Sequence, residues 1–153
     1  MSSQPKLSAT KLEASGGRTL KLNEFKGKPV VVYFYPRDNT PGCTKQGQGF
    51  RDHYADFQAA GCEIIGVSRD TAASHDKFAA KHEFPFPLLA DTDEKLCKEF
   101  DVIKEKNMYG KKVMGIERST FLFDAKGKLV REWRKVRVPG HVEEVLAAVR
   151  ELG

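Results

Sequence analysis

No apolar run in this 153-residue chain approaches the ~18 residues that a membrane-spanning helix needs, and the opening MSSQPKLSAT offers no apolar stretch for a secretory signal. Cysteine is scarce. The three residues, Cys43, Cys62 and Cys97, are odd in number and widely spaced, which argues against a disulfide framework. No C-x-x-C is present for zinc or dithiol exchange, and His53, His75, His82 and His141 lack paired ligand spacing such as H-E-x-x-H. No metal site is therefore expected, and these histidines are expected on exposed helices or loops. Gly47-Gln48-Gly49 lacks the third glycine and the preceding strand of a dinucleotide loop, so no nucleotide cofactor is expected either. No internal repeat or low-complexity stretch occurs. The expectation is a reduced, cytoplasmic, cofactor-free protein with no membrane partner.

What is present fits one soluble domain spanning 1–153. Apolar residues make up 40% and charged residues 31%, a balance that can bury a core without staples. The net charge of +5 is unevenly placed: Lys104 to Arg137 holds 11 Lys/Arg against 4 Asp/Glu. Acidic residues are interleaved there, only Tyr109 and Trp133 could stack on bases, and no nucleic-acid motif appears. The patch reads as one that steers small anions or a partner protein, not nucleic acid.

Residues 1–28 are polar, with a Gly16-Gly17 turn, and read as an N-terminal arm. From Val30 to Tyr35 a continuous β-branched and aromatic run predicts a strand buried on both faces. After the polar turn Pro36 to Gly42, Phe50, Tyr54 and Phe57 recur at helical spacing and predict one helix ending at Ala59-Ala60-Gly61. Ile64, Ile65 and Val67 make a second buried strand and complete a right-handed βαβ unit. A helix capped by Asp70 or Thr71 carries Phe78. Phe84 to Leu89 is extended by its prolines, and a short helix spans Leu96 to Phe100. A basic loop follows, then a hairpin of Ser119 to Phe123 with Leu129 to Trp133, and a final helix bearing Val142, Val145, Leu146, Val149 and Leu152. The order is the thioredoxin-like α/β plan: a central mixed sheet with helices on both faces.

In open α/β sheets functional groups gather beyond the carboxyl ends of the strands. There Thr40-Pro41-Gly42-Cys43 leads directly into a helix, whose free N–H groups and positive dipole end favour thiolate. A buried structural cysteine is the alternative, but Cys43 lies in a polar Pro/Gly turn and not on an apolar face. The stretch from Tyr33 to Thr44, YFYPRDNTPGCT, contains P-x-x-x-T-x-x-C as Pro36, Thr40 and Cys43, and resembles the peroxiredoxin active site. The longer form, YFYP-x-x-x-TPGCT, is similar to the bacterioferritin-comigratory (peroxiredoxin Q) subfamily. The likeness continues through Phe50-Arg51-Asp52, Gly66 to Asp70, Phe86-Pro87-Leu88 and Phe100 to Arg118, covering nearly the whole chain from about Leu20.

The resemblance implies a thiol-dependent peroxidase acting on hydrogen peroxide and organic hydroperoxides. In it Cys43 is the nucleophile, passing from thiolate to sulfenic acid. Thr40 supplies a hydroxyl to the thiolate and the peroxide, and Pro36 shields the site. Arg118 stabilises thiolate and leaving oxygen, and N–H groups near Gly42 and Cys43 bind the peroxide. It also implies thioredoxin, or glutathione with glutaredoxin, as reductant, and a monomer. Two family features are missing. The resolving-cysteine positions hold Gln48 and Ala79, and the frequent glutamate three residues after the nucleophile is Gln46. The expectation is a one-cysteine enzyme regenerated by an external thiol. The alternatives are a two-cysteine cycle through Cys97 or Cys62, or a non-enzymatic holdase or basic binding module. A thioredoxin-like disulfide oxidoreductase is disfavoured by the absent C-x-x-C.

Overall fold

Two short strands, β1 (Leu12–Ala14) and β2 (Arg18–Leu20), pair antiparallel across a tight turn in which Gly16 and Gly17 both take positive φ. In this computed structural model, which describes residues 5–152, the hairpin is part of the main sheet, with β1 pairing antiparallel with β5 (Leu88–Ala90). This corrects the reading of residues 1–28 as an arm, whose first four lie outside the described residues. Leu7, Ala14 and Leu22 are buried in the core, but their scattered spacing gives the segment no apolar periodicity.

The apolar run beginning at Val30 forms β3 (Val30–Phe34), buried at every residue. It lies between β4 (Glu63–Ser68), in parallel, and β8 (Ser119–Phe123), antiparallel. With β9 (Leu129–Trp133) the sheet order is β2-β1-β5-β4-β3-β8-β9, the expected mixed sheet. Alternation along β3 feeds two cores. Val31, Tyr33 and Tyr35 point to one face, under α1 (Pro41–Asp52), α2 (Tyr54–Ala59), α3 (Ala72–His82) and α5 (His141–Leu152). Val30, Val32 and Phe34 face the other, with Leu96 and Cys97 of α4 (Lys95–Glu99) and Phe100. No helix among the described residues is long and apolar enough to cross a membrane.

Two further readings are corrected. The single helix predicted through Phe57 breaks at His53 (φ −103°, ψ 7°), so α1 and α2 are separate, although Phe50 and Phe57 still reach one core. The basic loop after α4 is a two-stranded antiparallel ribbon of β6 (Ile103–Met108) and β7 (Lys111–Ile116). Tyr109 and Gly110 both take positive φ at its tip, the geometry of a two-residue hairpin turn. Its charged, mostly exposed strands hide the period-2 apolar signal on which sequence reading of a strand depends.

His75 and His141 are buried rather than exposed. His141 lies 2.8 Å from the Thr120 hydroxyl through Nε2 and meets Phe50 and Trp133 edge-on. Burial pushes its pKa down to about 4, with Glu144 acting against that and Arg118 reinforcing it. The folded state therefore refuses a proton that the unfolded chain accepts below its ordinary pKa of 6.5. Stability from His141 is complete above pH 6.5 and is lost as pH falls toward about 4, by up to about 3 kcal/mol. Urea unfolding across that range should show the midpoint falling with pH, and His141→Gln should flatten the dependence. An unchanged slope in the variant would show that His141 is not its source.

Candidate active site

The chain leaves β3 at Phe34 and turns through Pro36 and Asn39, the latter at φ 63°, before α1 begins at Pro41. Proline at the first helical position has no N–H to leave unsatisfied. Cys43 thus sits in the first turn of α1, at the carboxyl end of β3. Its side chain is buried, at 2% exposure, and yet touches a cation. Arg118 Nη2 stands 3.2 Å from Cys43 Sγ, and Nη1 donates to Gln46 Oε1 at 2.6 Å. Arg118 directly precedes β8, whose Ser119 pairs with Phe34, so the sheet register brings a guanidinium 75 residues away in sequence onto the sulfur.

Gln46 is fully buried, and its position three residues after Cys43 puts both side chains on one helix face. A neutral amide orients the guanidinium without neutralising it, and its Nε2 remains buried without a partner. A Cβ at Gly42 would lie 3.1 Å from Arg118 Nη2, so a bare backbone here lets the cation reach the sulfur. Gly47 and Gly49 serve packing. A Cβ at Gly47 would lie 2.5 Å from the Phe84 ring, and one at Gly49 3.0 Å from Val142.

The structure therefore brings Cys43, Arg118 and Gly42 together. Pro36 is half-buried in the turn. The hydroxyl of Thr40 donates to the Arg37 carbonyl at 2.9 Å, so in this conformation its proton is not directed to Cys43. Gln48 lies in α1 and Ala79, half-buried, in α3. Cys97 is on the opposite face of the sheet from Cys43. Cys62 precedes β4 at the far end of β3, roughly 20 Å away at the rise of extended chain. Burial, reinforced by Glu63, pushes the Cys62 thiol up to about 12; burial and Asp91 push the Cys97 thiol up further.

Sequence reasoning missed the support of the turn itself. The buried Asp38 carboxylate accepts from the Tyr35 hydroxyl at 2.6 Å and the Ser74 hydroxyl at 2.8 Å, and lies 2.8 Å from His75 Nδ1. His75 Nε2 faces the Leu89 carbonyl at 2.9 Å. The Asp38 N–H donates to Asp70, which also accepts from Ser68. Asp38 is thus tied through its carboxylate to Tyr35 and α3 and through its N–H to Asp70 just after β4, while His75 reaches on to β5. The only local signal was an aspartate two residues before Thr40 and a histidine in the first turn of α3, with nothing in the spacing to join them.

A family profile described as the AhpC/TSA family matches residues 4–132. Peroxiredoxin Bcp of Xanthomonas campestris pv. campestris is 55% identical over 139 residues, covering 91% of this chain and 87% of its own. Peroxiredoxin Bcp of Bacillus subtilis is 50% identical over 141 residues, covering 92% and 90%. A solved structure of the Xanthomonas campestris bacterioferritin comigratory protein, a trapped intermediate/ligand complex concerned with alkyl peroxide reduction, superposes with a TM-score of 0.90. It is 52% identical and covers 95% of this chain and 92% of its own.

If the guanidinium is what makes Cys43 reactive, Arg118→Met should slow iodoacetamide alkylation of Cys43 at neutral pH by about tenfold to a hundredfold, the size of one lost contact charge in a partly screened site. Gln46→Glu should slow it in the same direction by placing an anion beside both groups. Alkylation followed by peptide mass mapping reads both variants. Rates equal to wild type in Arg118→Met would break the link between this contact and reactivity.

Proposed function

The chain belongs to the AhpC/TSA family, as a peroxiredoxin of the bacterioferritin-comigratory or Q type, and on that premise we propose that Cys43 is the peroxidatic cysteine of a one-cysteine hydroperoxide reductase. The observation that carries the assignment is the 3.2 Å contact of Arg118 Nη2 with Cys43 Sγ at the mouth of a helix. As thiolate, Cys43 attacks the distal oxygen of ROOH. The S–O bond forms as the O–O bond breaks, and the alkoxide takes a proton to leave as ROH. Arg118 faces the place where negative charge passes from sulfur to leaving oxygen, and its orientation by Gln46 is set before reaction. Alkyl hydroperoxides are proposed as substrates together with hydrogen peroxide, by analogy with the Xanthomonas campestris protein. Pro36 covers the turn. The Thr40 hydroxyl, now on Arg37, reaches the thiolate or peroxide by rotation about its side-chain bond.

Regeneration is proposed to use an external thiol, thioredoxin or glutathione with glutaredoxin, supported by the placement of the other two cysteines. A disulfide needs Cα atoms within about 7 Å. Cys97 is separated from Cys43 by the sheet, and Cys62 lies at its other end. Their raised pKa values also leave little thiolate to attack a sulfenic acid.

Peroxide consumption with excess thiol should vanish in Cys43→Ser and persist within about twofold in the Cys62→Ser/Cys97→Ser double variant. Wild type treated with one equivalent of peroxide should gain one oxygen by intact mass. Turnover in Cys43→Ser would refute the peroxidatic assignment. Loss of turnover in the double variant, with wild type losing two hydrogens, would refute the one-cysteine cycle.

A further inference from the structure

Residues 36–40 carry the chain from the end of β3 to the start of α1, and Pro36 has no N–H to contribute. Among the described residues, every hydrogen bond that ties this turn to anything beyond itself and α1 is made by Asp38. Packing does not fix the turn on its α3 side. There Asp38 and Asn39 border an open cavity of about 350 Å³, shared with Ser74, Lys77 and Phe78. Hydrogen bonds, not side-chain contact, must hold the turn against α3.

His75 is the partner of Asp38 that reaches deepest. It is fully buried, and its ring spans from the turn to the sheet. Nδ1 lies 2.8 Å from Asp38 Oδ2, and Nε2 lies 2.9 Å from the Leu89 carbonyl in β5. A carbonyl only accepts, so Nε2 carries a hydrogen and donates it. The Nδ1 contact holds a further hydrogen between ring and carboxylate. Of the other donors to the carboxylate, Ser74 borders the cavity and Tyr35 directly precedes the turn. Only His75 joins the Asp38 side chain onward to a strand.

The route from Asp38 to the sulfur is bonded throughout. Asn39 follows at φ 63°, and then Thr40 at the N-cap of α1. The Thr40 carbonyl accepts from the Thr44 N–H at 2.8 Å, closing the helical turn that holds Cys43. Arg118 meets the sulfur there at 3.2 Å, from a position set independently by the pairing of β8 with β3. A shift of Asp38 therefore moves sulfur against guanidinium. We propose that His75 is a positioning residue for the reaction at Cys43, holding Asp38 so that the first turn of α1 presents the sulfur to Arg118, a role that rests on the reading of Cys43 as the nucleophile. His75 acts through Asp38 and not on the reacting atoms.

Two amides separate this role from bulk support. The side-chain nitrogen of asparagine falls near the place of histidine Nδ1, and that of glutamine near Nε2. His75→Asn thus keeps a donor for Asp38 and gives up Leu89, whereas His75→Gln keeps Leu89 and gives up Asp38. Both lose the ring, and both should lower the urea midpoint to a similar degree. Iodoacetamide alkylation of Cys43 is then measured at neutral pH on variants shown to be folded by circular dichroism. The rate should stay within about threefold of wild type in His75→Asn and fall about tenfold in His75→Gln, and kcat/KM for peroxide should follow the same order. In an Arg118→Met background, His75→Gln should slow alkylation by less than about twofold more, because the contact it perturbs is already gone. Asp38→Ala cuts the same link from the turn side and should also cost about tenfold, which keeps the test open if His75→Gln does not fold. Equal losses in the two amides, a wild-type rate in His75→Gln or Asp38→Ala, or full additivity with Arg118→Met would overturn the positioning role. The expected order of alkylation in a protein whose wild type consumes no peroxide would instead refute the peroxidatic reading and leave the positioning role standing.

Discussion

The contact between Arg118 and Cys43 depends on almost everything else in the molecule. Neither residue could hold it from its own neighbourhood in sequence. The guanidinium is delivered by the antiparallel pairing of β8 with β3, the sulfur by the turn from β3 into α1, and a slip of one residue would send Arg118 to the other side of the sheet. Three small choices complete it. Gly42 leaves room for the guanidinium, Gln46 orients it without a countercharge, and Asp38 ties the turn to the rest of the sheet. A guanidinium this close to a buried sulfur stabilises the anion, while an apolar wall would oppose it.

The same chain shows the converse twice. Cys62 is next to Glu63, and Cys97 lies against Asp91 in an aromatic and aliphatic core. Burial raises both thiols and carboxylates raise them further. Three cysteines with nearly identical exposure thus differ in their charged neighbours, a guanidinium at Cys43 and carboxylates at Cys62 and Cys97. Exposure alone would have ranked them as equals.

How much of this could be read beforehand follows from the range of each interaction. The run from Val30 to Tyr35, the Thr-Pro-Gly-Cys turn and the stripe of Val142, Val145, Leu146 and Val149 are local patterns, and the elements they predict are present. The β1–β2 hairpin and the β6–β7 ribbon were missed because one is short and the other charged along much of its length, so neither alternates apolar with polar. The burial of His75 is hidden from the sequence for a different reason. Its partners lie 37 residues before it and 14 residues after it, and a histidine in a polar helix start looks solvated until those partners are known. Cys43 stands out by its Pro/Gly turn at a helix start, whereas Arg118 is legible only through the resemblance to the peroxiredoxin pattern. Their charge and spacing alone left a structural cysteine and a surface arginine as open readings.

Access to the buried sulfur bears differently on the two ways of resolving it. An intramolecular partner would require Cys43 to travel, and α1 is held along its length. Phe84 occupies the space a side chain at Gly47 would take, Val142 does the same at Gly49, and Phe50 is inserted between Tyr33 and Phe57. The two helical glycines each cost about 1 kcal/mol of propensity relative to alanine. That weakness does not translate into opening where each is the contact point for an aromatic or branched side chain. Crossing the length of β3 to Cys62, or passing round the sheet to Cys97, would unpack this whole face. Exposing the sulfur to an incoming thiol asks only for movement of the first turn, where the Thr44 N–H to Thr40 carbonyl bond closes the helix and Pro41 donates nothing. The smaller opening has the lower free energy, since local excursions scale with the contacts they break. The body of α1 is thus clamped by packing on its two glycines, whereas its first turn is held by the Thr44 N–H to Thr40 carbonyl bond and by the Arg118 contact at Cys43.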